Sequence, residues 1–178
     1  MKTLIVKFTG FLSLVVFAVL AVDGAPTKQR AAKPVIGKVY DLDYLGGQGW
    51  TQVLVQPSGS STNLVLTTKN NLVQFVLQSA VLNSLAVSIT HEANDPKRII
   101  SVVLAATQAC GDNGCVEKVT CSEPDGTCTA SVKDHGPART RNVRALGILL
   151  TALSKKTKTE YLSLDKDGFI TRVKINLP

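Results

Sequence analysis

The sequence predicts a mainly β protein with two helices, an α+β fold made of two similar halves that each run β-β-β-α-β-β. Three observations predict it. First, the second half repeats the first. A shift of 72 residues lays Asn70, Leu77 and Ala80 on Asn142, Leu149 and Ala152, with Val76 on Ile148 and Ser79 on Thr151. A shift of 70 then lays Ile99-Ile100-Ser101-Val102-Val103 on Phe169-Ile170-Thr171-Arg172-Val173. A repeat of this length points to tandem units rather than a solenoid. Second, short stretches of alternating apolar residues are separated by Gly, Pro, Asn and Asp, as strands and turns require. Third, each half contains one apolar helical run that opens behind an asparagine.

In the first half, Val39 to Leu45 alternates, Gly46-Gly47-Gln48-Gly49 turns, Trp50 to Gln56 returns, and Asn63 to Lys69 forms a third strand after a turn at residues 57–62. Asn70 is the expected N-cap of LVQFVLQSAVL, and Asn142 that of VRALGILLTAL. Each helix precedes a hairpin: Ala86 to Glu92 with Arg98 to Leu104, and Thr157 to Leu164 with Phe169 to Leu177. Both helices are apolar on more than one face, so each is expected to be covered on two sides, most simply by the other helix.

The four cysteines, Cys110, Cys115, Cys121 and Cys128, fall in one stretch. In an exported chain they imply two disulfides. A turn centred on Asp112-Asn113 sets Cys110 opposite Cys115, and one centred on Pro124-Asp125 sets Cys121 opposite Cys128. Cys110 with Cys115 and Cys121 with Cys128 are therefore the expected pairs, on strands at residues 98–110, 115–121 and 128–134. A four-cysteine zinc site is the alternative, but the two-to-four-residue knuckle spacing is missing.

Residues 1–21 read as a secretory signal: Lys2 and Lys7 precede an apolar run from Phe11 to Leu20, and Ala21 offers a small residue for cleavage. Residues 22–36, rich in Ala, Pro and Lys, read as a flexible lead-in, followed by a first module at 37–104 and a second, disulfide-stapled module at 105–178. Removing 21 of the 178 residues leaves 157 and takes two lysines and no acid, lowering the net charge from +7 to +5. That charge permits attraction to anionic surfaces without demanding it. With only six aromatic residues left after cleavage, it argues against nucleic acid. No later segment is long and apolar enough to span a membrane, so a secreted or periplasmic location and a monomer are expected.

The order of three strands, helix and two strands is the connectivity of the OB-fold, a small, partly open barrel. A plain α+β sandwich is the competing topology. On that order, in an exported disulfide-bonded chain, and on phrases such as ILLTALSKKTKTEYLSLDKDGFITRVKINL, the sequence resembles small exported bacterial OB-fold proteins, among them the ring-forming toxin B subunits. The resemblance implies glycan binding and assembly through edge strands and helices. It carries no site residue over, and the duplication departs from the single-module subunits.

No catalytic signature is present. The two histidines, His91 and His135, stand in no nucleophile context. Asp165-Lys166-Asp167-Gly168 is half of a calcium loop, but Lys174 stands where the bidentate Glu belongs, and the glycine clusters at 46–49 and 111–114 lack a P-loop ending. Neither a cofactor nor a metal is therefore expected.

Two surfaces remain. Arg139, Arg141 and Arg144 gather near the start of the second helix, with no acid between Asp134 and Glu160, and could hold an anion together with free backbone N–H groups. Tyr40, Tyr44 and Trp50 could form a stacking surface. The expectation is a non-enzymatic binding protein for a glycan or other anionic surface ligand. The alternative is a periplasmic or cell-surface structural or inhibitory module that binds proteins through its sheet edges.

Overall fold

The computed structural model of the protein describes residues 31–106 and 111–176. It contains strands β1 (Val35–Leu45), β2 (Trp50–Pro57) and β3 (Leu64–Thr68), helix α1 (Asn71–Leu82), and strands β4 (Ala86–His91) and β5 (Ile99–Ala105). The same order then runs again: β6 (Val116–Ser122), β7 (Thr127–Val132), β8 (Ala138–Thr140), α2 (Val143–Lys155), β9 (Thr159–Leu164) and β10 (Ile170–Ile175). The protein is mainly β with two helices, as the sequence predicts.

Eight strands form one antiparallel sheet in the order β3-β2-β1-β4-β5-β6-β7-β8, and β9 and β10 form a separate hairpin. The sheet is continuous across the expected module boundary, because β5 pairs with β6. Three isolated bridges curl its ends. Thr67 on β3 bridges Arg98 just ahead of β5 in parallel, Arg139 on β8 bridges Phe169 just ahead of β10 in parallel, and Cys115 bridges Lys158 antiparallel. Single bridges rather than ladders join these strands, and among the described residues no closed barrel forms.

Helix formation follows the caps. The Asn70 side chain accepts from the Leu72 and Val73 N–H groups, and that of Asn142 from Arg144 and Ala145. α1 buries Leu72, Val73, Val76, Leu77 and Ala80, and α2 buries Leu146, Leu149, Leu150, Ala152 and Leu153, all in one core with the inward residues of the sheet. Each fully buried Leu or Val contributes about 1.5–3 kcal/mol relative to exposure. The helices meet each other, as their broad apolar faces suggest. At Gly147 the absent side chain lets Phe75 approach, so that a Cβ there would stand 3.4 Å from the Phe75 ring.

Three expectations are corrected. The lead-in does not stay unstructured up to residue 36: Ala31 bridges Glu92, the Ala32 N–H donates to the His91 carbonyl at 3.0 Å, and β1 already begins at Val35. The remainder of the lead-in and the signal segment lie outside the described residues. The strand expected at 98–110 is β5, which ends at Ala105, and β6 opens the second run. The β5–β6 register sets Ala105 opposite Lys118, and the expected facing of Cys110 and Cys115 lies outside the described residues. Finally, the strand expected at 128–134 stops at Val132, where Asp134 turns the chain with φ 60°, and a third strand, β8, follows at residues 138–140.

Candidate functional site

The arginine cluster is built by β8 and the turn of the β9–β10 hairpin. Strand alternation buries Ala138 and Thr140 and turns Arg139 and Arg141 outward. The Arg139 N–H donates to the Gly168 carbonyl at 2.8 Å, which brings the hairpin turn against β8. Asp165 sets that turn, its Oδ1 accepting from the Asp167 and Phe169 N–H groups at 2.9 and 2.8 Å, while Gly168 takes φ 78°. Phe169 is thereby brought beside both arginines. The Arg139 and Arg141 guanidinium carbons lie 4.7 and 5.2 Å from the centre of its ring.

The Arg141 Nε also donates to Thr127 Oγ1 at 3.1 Å, and that hydroxyl donates on to the Asp125 carbonyl at 3.1 Å. Neither of these arginines, nor Arg144 on the first turn of α2, is in an ion pair among the described residues. Two guanidinium groups beside one ring, without a carboxylate to neutralise them, make this surface attractive to an anion.

Backbone N–H groups of α2 contribute less than the sequence suggests. Asn142 Oδ1 takes the Arg144 and Ala145 N–H groups at 2.8 and 3.4 Å, so the cap satisfies the donors that an anion at the helix start would use. The guanidinium groups, not the helix terminus, make this surface attractive to anions.

The aromatic residues separate into two places. A β-bulge at Tyr40 interrupts the β1–β2 ladder between Val39 and Asp41. Beyond it, Tyr40, Asp41, Leu42 and Tyr44 line a groove of about 430 Å³ against Gln74 and Gln78 of α1. Tyr40 and Tyr44 are 56% and 65% exposed, so both rings are free to meet a ligand. Trp50 pairs with Leu45, one residue out of phase with Tyr44, and so faces the other side of the sheet. There the Lys69 Nζ covers its ring at 4.3 Å. A single surface carrying all three aromatics is not formed.

Cys121 and Cys128 face each other on β6 and β7 and are disulfide-bonded, with Cα atoms 4.0 Å apart. Their bond removes both as zinc ligands. Cys115 is buried and also disulfide-bonded, and its expected partner Cys110 lies outside the described residues.

One residue that sequence reasoning passed over as part of a turn is central to the packing. Glu123, in the β6–β7 turn, reaches back to the β3–α1 junction. Its Oε2 accepts from Thr68 Oγ1 at 2.6 Å and its Oε1 from the Lys69 N–H at 3.2 Å, while Asn70 Nδ2 donates to its carbonyl at 3.2 Å. Nothing in the sequence marks a contact across 53 to 55 residues. Phe169 is a second such case.

No protein-family model matches the chain, and no curated protein or solved structure matches it either. The reading of function rests on the geometry.

Proposed function

We propose that the protein is an exported, non-enzymatic binding protein that recognises a glycan or another anionic surface ligand through the face carrying Arg139 and Arg141. One observation carries the reading: two unneutralised guanidinium groups stand on the Phe169 ring, 4.7 and 5.2 Å from its centre. An anion placed there gains charge-assisted hydrogen bonds from arginines that the ring has already ordered, at a reduced entropic cost. The tyrosine groove beside α1 suits a sugar ring and offers a second contact surface for the same class of ligand.

The scaffold in this proposal is a tandem of two OB-like modules. Three features support it. β4 pairs antiparallel with the start of β1, the residue ahead of β5 meets β3 in parallel, and the Cys115–Lys158 and Arg139–Phe169 bridges repeat both relations in the second half.

The test is retention on immobilised heparin and on sialyllactose, in a salt series, for the protein and for R139E/R141E. Salt-sensitive retention that the double reversal removes, with melting temperature preserved to within a few degrees, is the expected result. Equal retention of the reversed variant on both matrices, or no retention of either protein, overturns the proposal.

A further inference from the structure

We infer that the β8–α2 junction is a receptor for a carboxylate, and that its ligand is a glutamyl residue on a tight turn of another protein. The inference rests on the anion-binding reading above and narrows it.

The chain carries its own example of the arrangement. On the outer edge of β3, the Thr67 N–H donates to the Lys97 carbonyl at 2.6 Å. Two residues on, the Lys69 N–H donates to Glu123 Oε1 at 3.2 Å. The Thr68 hydroxyl supplies the second carboxylate contact at 2.6 Å, and Asn70 Nδ2 takes the backbone carbonyl of the same Glu123 at 3.2 Å. Three donors from three consecutive residues therefore read one glutamyl residue, side chain and main chain together.

Seventy-two residues further along, the same parts recur. The Arg139 N–H donates to the Gly168 carbonyl at 2.8 Å, as Thr67 does to Lys97. Thr140 Oγ1 accepts from the Asn142 N–H at 3.0 Å, as Thr68 Oγ1 accepts from Asn70 at 3.2 Å. The caps match as well, with φ and ψ of −80° and 118° at Asn70 and −99° and 120° at Asn142.

The partners differ. Among the described residues neither the Arg141 N–H nor Asn142 Nδ2 has an acceptor, and the Thr140 hydroxyl reaches only the Asn142 carbonyl at 3.3 Å. At the positions of Thr67 and Lys69 stand Arg139 and Arg141, which add two guanidinium groups to the three donors. A glutamyl residue on a turn satisfies the N–H and the hydroxyl with its carboxylate and the asparagine with its carbonyl. A sulfate has no such second group, which is why the geometry favours a protein ligand.

Amide chemical shifts of the isotope-labelled protein, followed by NMR, test the inference. The probe is the capped peptide Ser-Glu-Pro-Asp-Gly-Thr, which reproduces residues 122–127 of the chain. Its Glu→Gln version, sodium sulfate and sialyllactose serve as comparisons, and Glu123→Ala, which removes the acceptor of the Lys69 N–H, serves as the internal control.

The expected result is a saturable shift at the Arg141 amide and the Asn142 side-chain amide with the peptide. Replacing Glu by Gln in the peptide should weaken binding roughly tenfold, the loss of one charge-assisted hydrogen bond. In Glu123→Ala, the Lys69 amide should respond to the same peptide. Equal responses to sulfate and peptide, or a response to sialyllactose alone, overturn the carboxylate-turn inference while leaving the anion-binding reading intact. Silence of Arg139 and Arg141 toward every probe overturns both.

Discussion

Replacing Glu123 by Gln should loosen the protein where its two halves meet, although Glu123 is a turn residue outside the hydrophobic core. The carboxylate joins the β6–β7 turn to the β3–α1 junction through a part-buried bond from Thr68 Oγ1 at 2.6 Å and an exposed one from the Lys69 N–H at 3.2 Å. A hydrogen bond to a charged group contributes about 1.5–3 kcal/mol, and the exposed, longer bond falls below that range. Gln keeps an oxygen for Lys69 but turns an NH2 group on Thr68, whose hydroxyl already accepts from the Asn70 N–H. The strong bond is lost and the weak one retained, so the net cost is about 1–2 kcal/mol. At roughly 2–4 °C per kcal/mol for a chain of this size, the melting temperature falls by about 2–8 °C.

Urea denaturation of E123Q, T68V and the double variant, at fixed neutral pH, separates this bond from other effects of each change. Thr68 is fully buried, and Val matches its shape while removing the hydroxyl. A coupling energy above about 0.5 kcal/mol is expected for residues in direct contact, whereas independent sites add to within about 0.3 kcal/mol. Additivity within that limit would refute the account of Glu123 as a staple, whatever the two single variants cost. T68S, which retains the hydroxyl, should show most of the coupling restored.

Gly37→Ala should destabilise strongly, by about 2 kcal/mol or more, because β1 pairs on both sides there and a Cβ would fall onto the Gln56 backbone carbonyl; denaturant unfolding checks it. Replacing Cys121 and Cys128 together by Ala should cost about 2 kcal/mol from the short loop alone, measured by denaturant unfolding against the oxidised wild type. Gly147→Ala should be neutral or stabilise by up to about 1 kcal/mol, since it sits inside α2 and its Cβ would meet only the edge of the Phe75 ring at 3.4 Å, whereas Gly147→Leu should force the helices apart and lower the melting temperature. Lys174, 2.6 Å from Glu160, holds that carboxyl below its ordinary value of 4.5 by hydrogen bonding and charge. A depressed folded value means that the small stabilisation is present above pH 4.5 and is lost as the pH falls through the folded value. An NMR titration of Lys174→Met should find the Glu160 titration moved back up.

Much of the fold is legible because its signals are local. The caps at Asn70 and Asn142 are read from residue type and position alone, and both accept the N–H groups they were expected to accept. The Asp165–Gly168 turn is equally local, with Asp165 Oδ1 and a positive φ at Gly168 performing the usual turn chemistry. β8 is not legible. Ala138-Arg139-Thr140 is too short for an alternation to stand out, and it is a strand only because β7 and Phe169 lie on either side of it.

The tyrosines and the arginines show how the same limit applies to sites. Tyr40 and Tyr44 are correctly placed on one strand, but phase decides the rest, and Trp50 lies on the opposite side of the sheet. For the arginines the sequence shows the charges and misses what orders them, because Phe169 comes from a hairpin thirty residues downstream of Arg139. The two junctions also differ in a way that single residues do not reveal. At the first, Lys69 lies over Trp50 and Glu123 occupies the donors, so charge and hydrogen bonding are met within the chain. At the second, the arginines lie over Phe169, and among the described residues no carboxylate takes the donors that Glu123 takes at the first. The donors are satisfied internally at the first junction, and at the second they meet no carboxylate among the described residues, which is what the proposed binding role requires. The second junction is therefore where a partner should be sought.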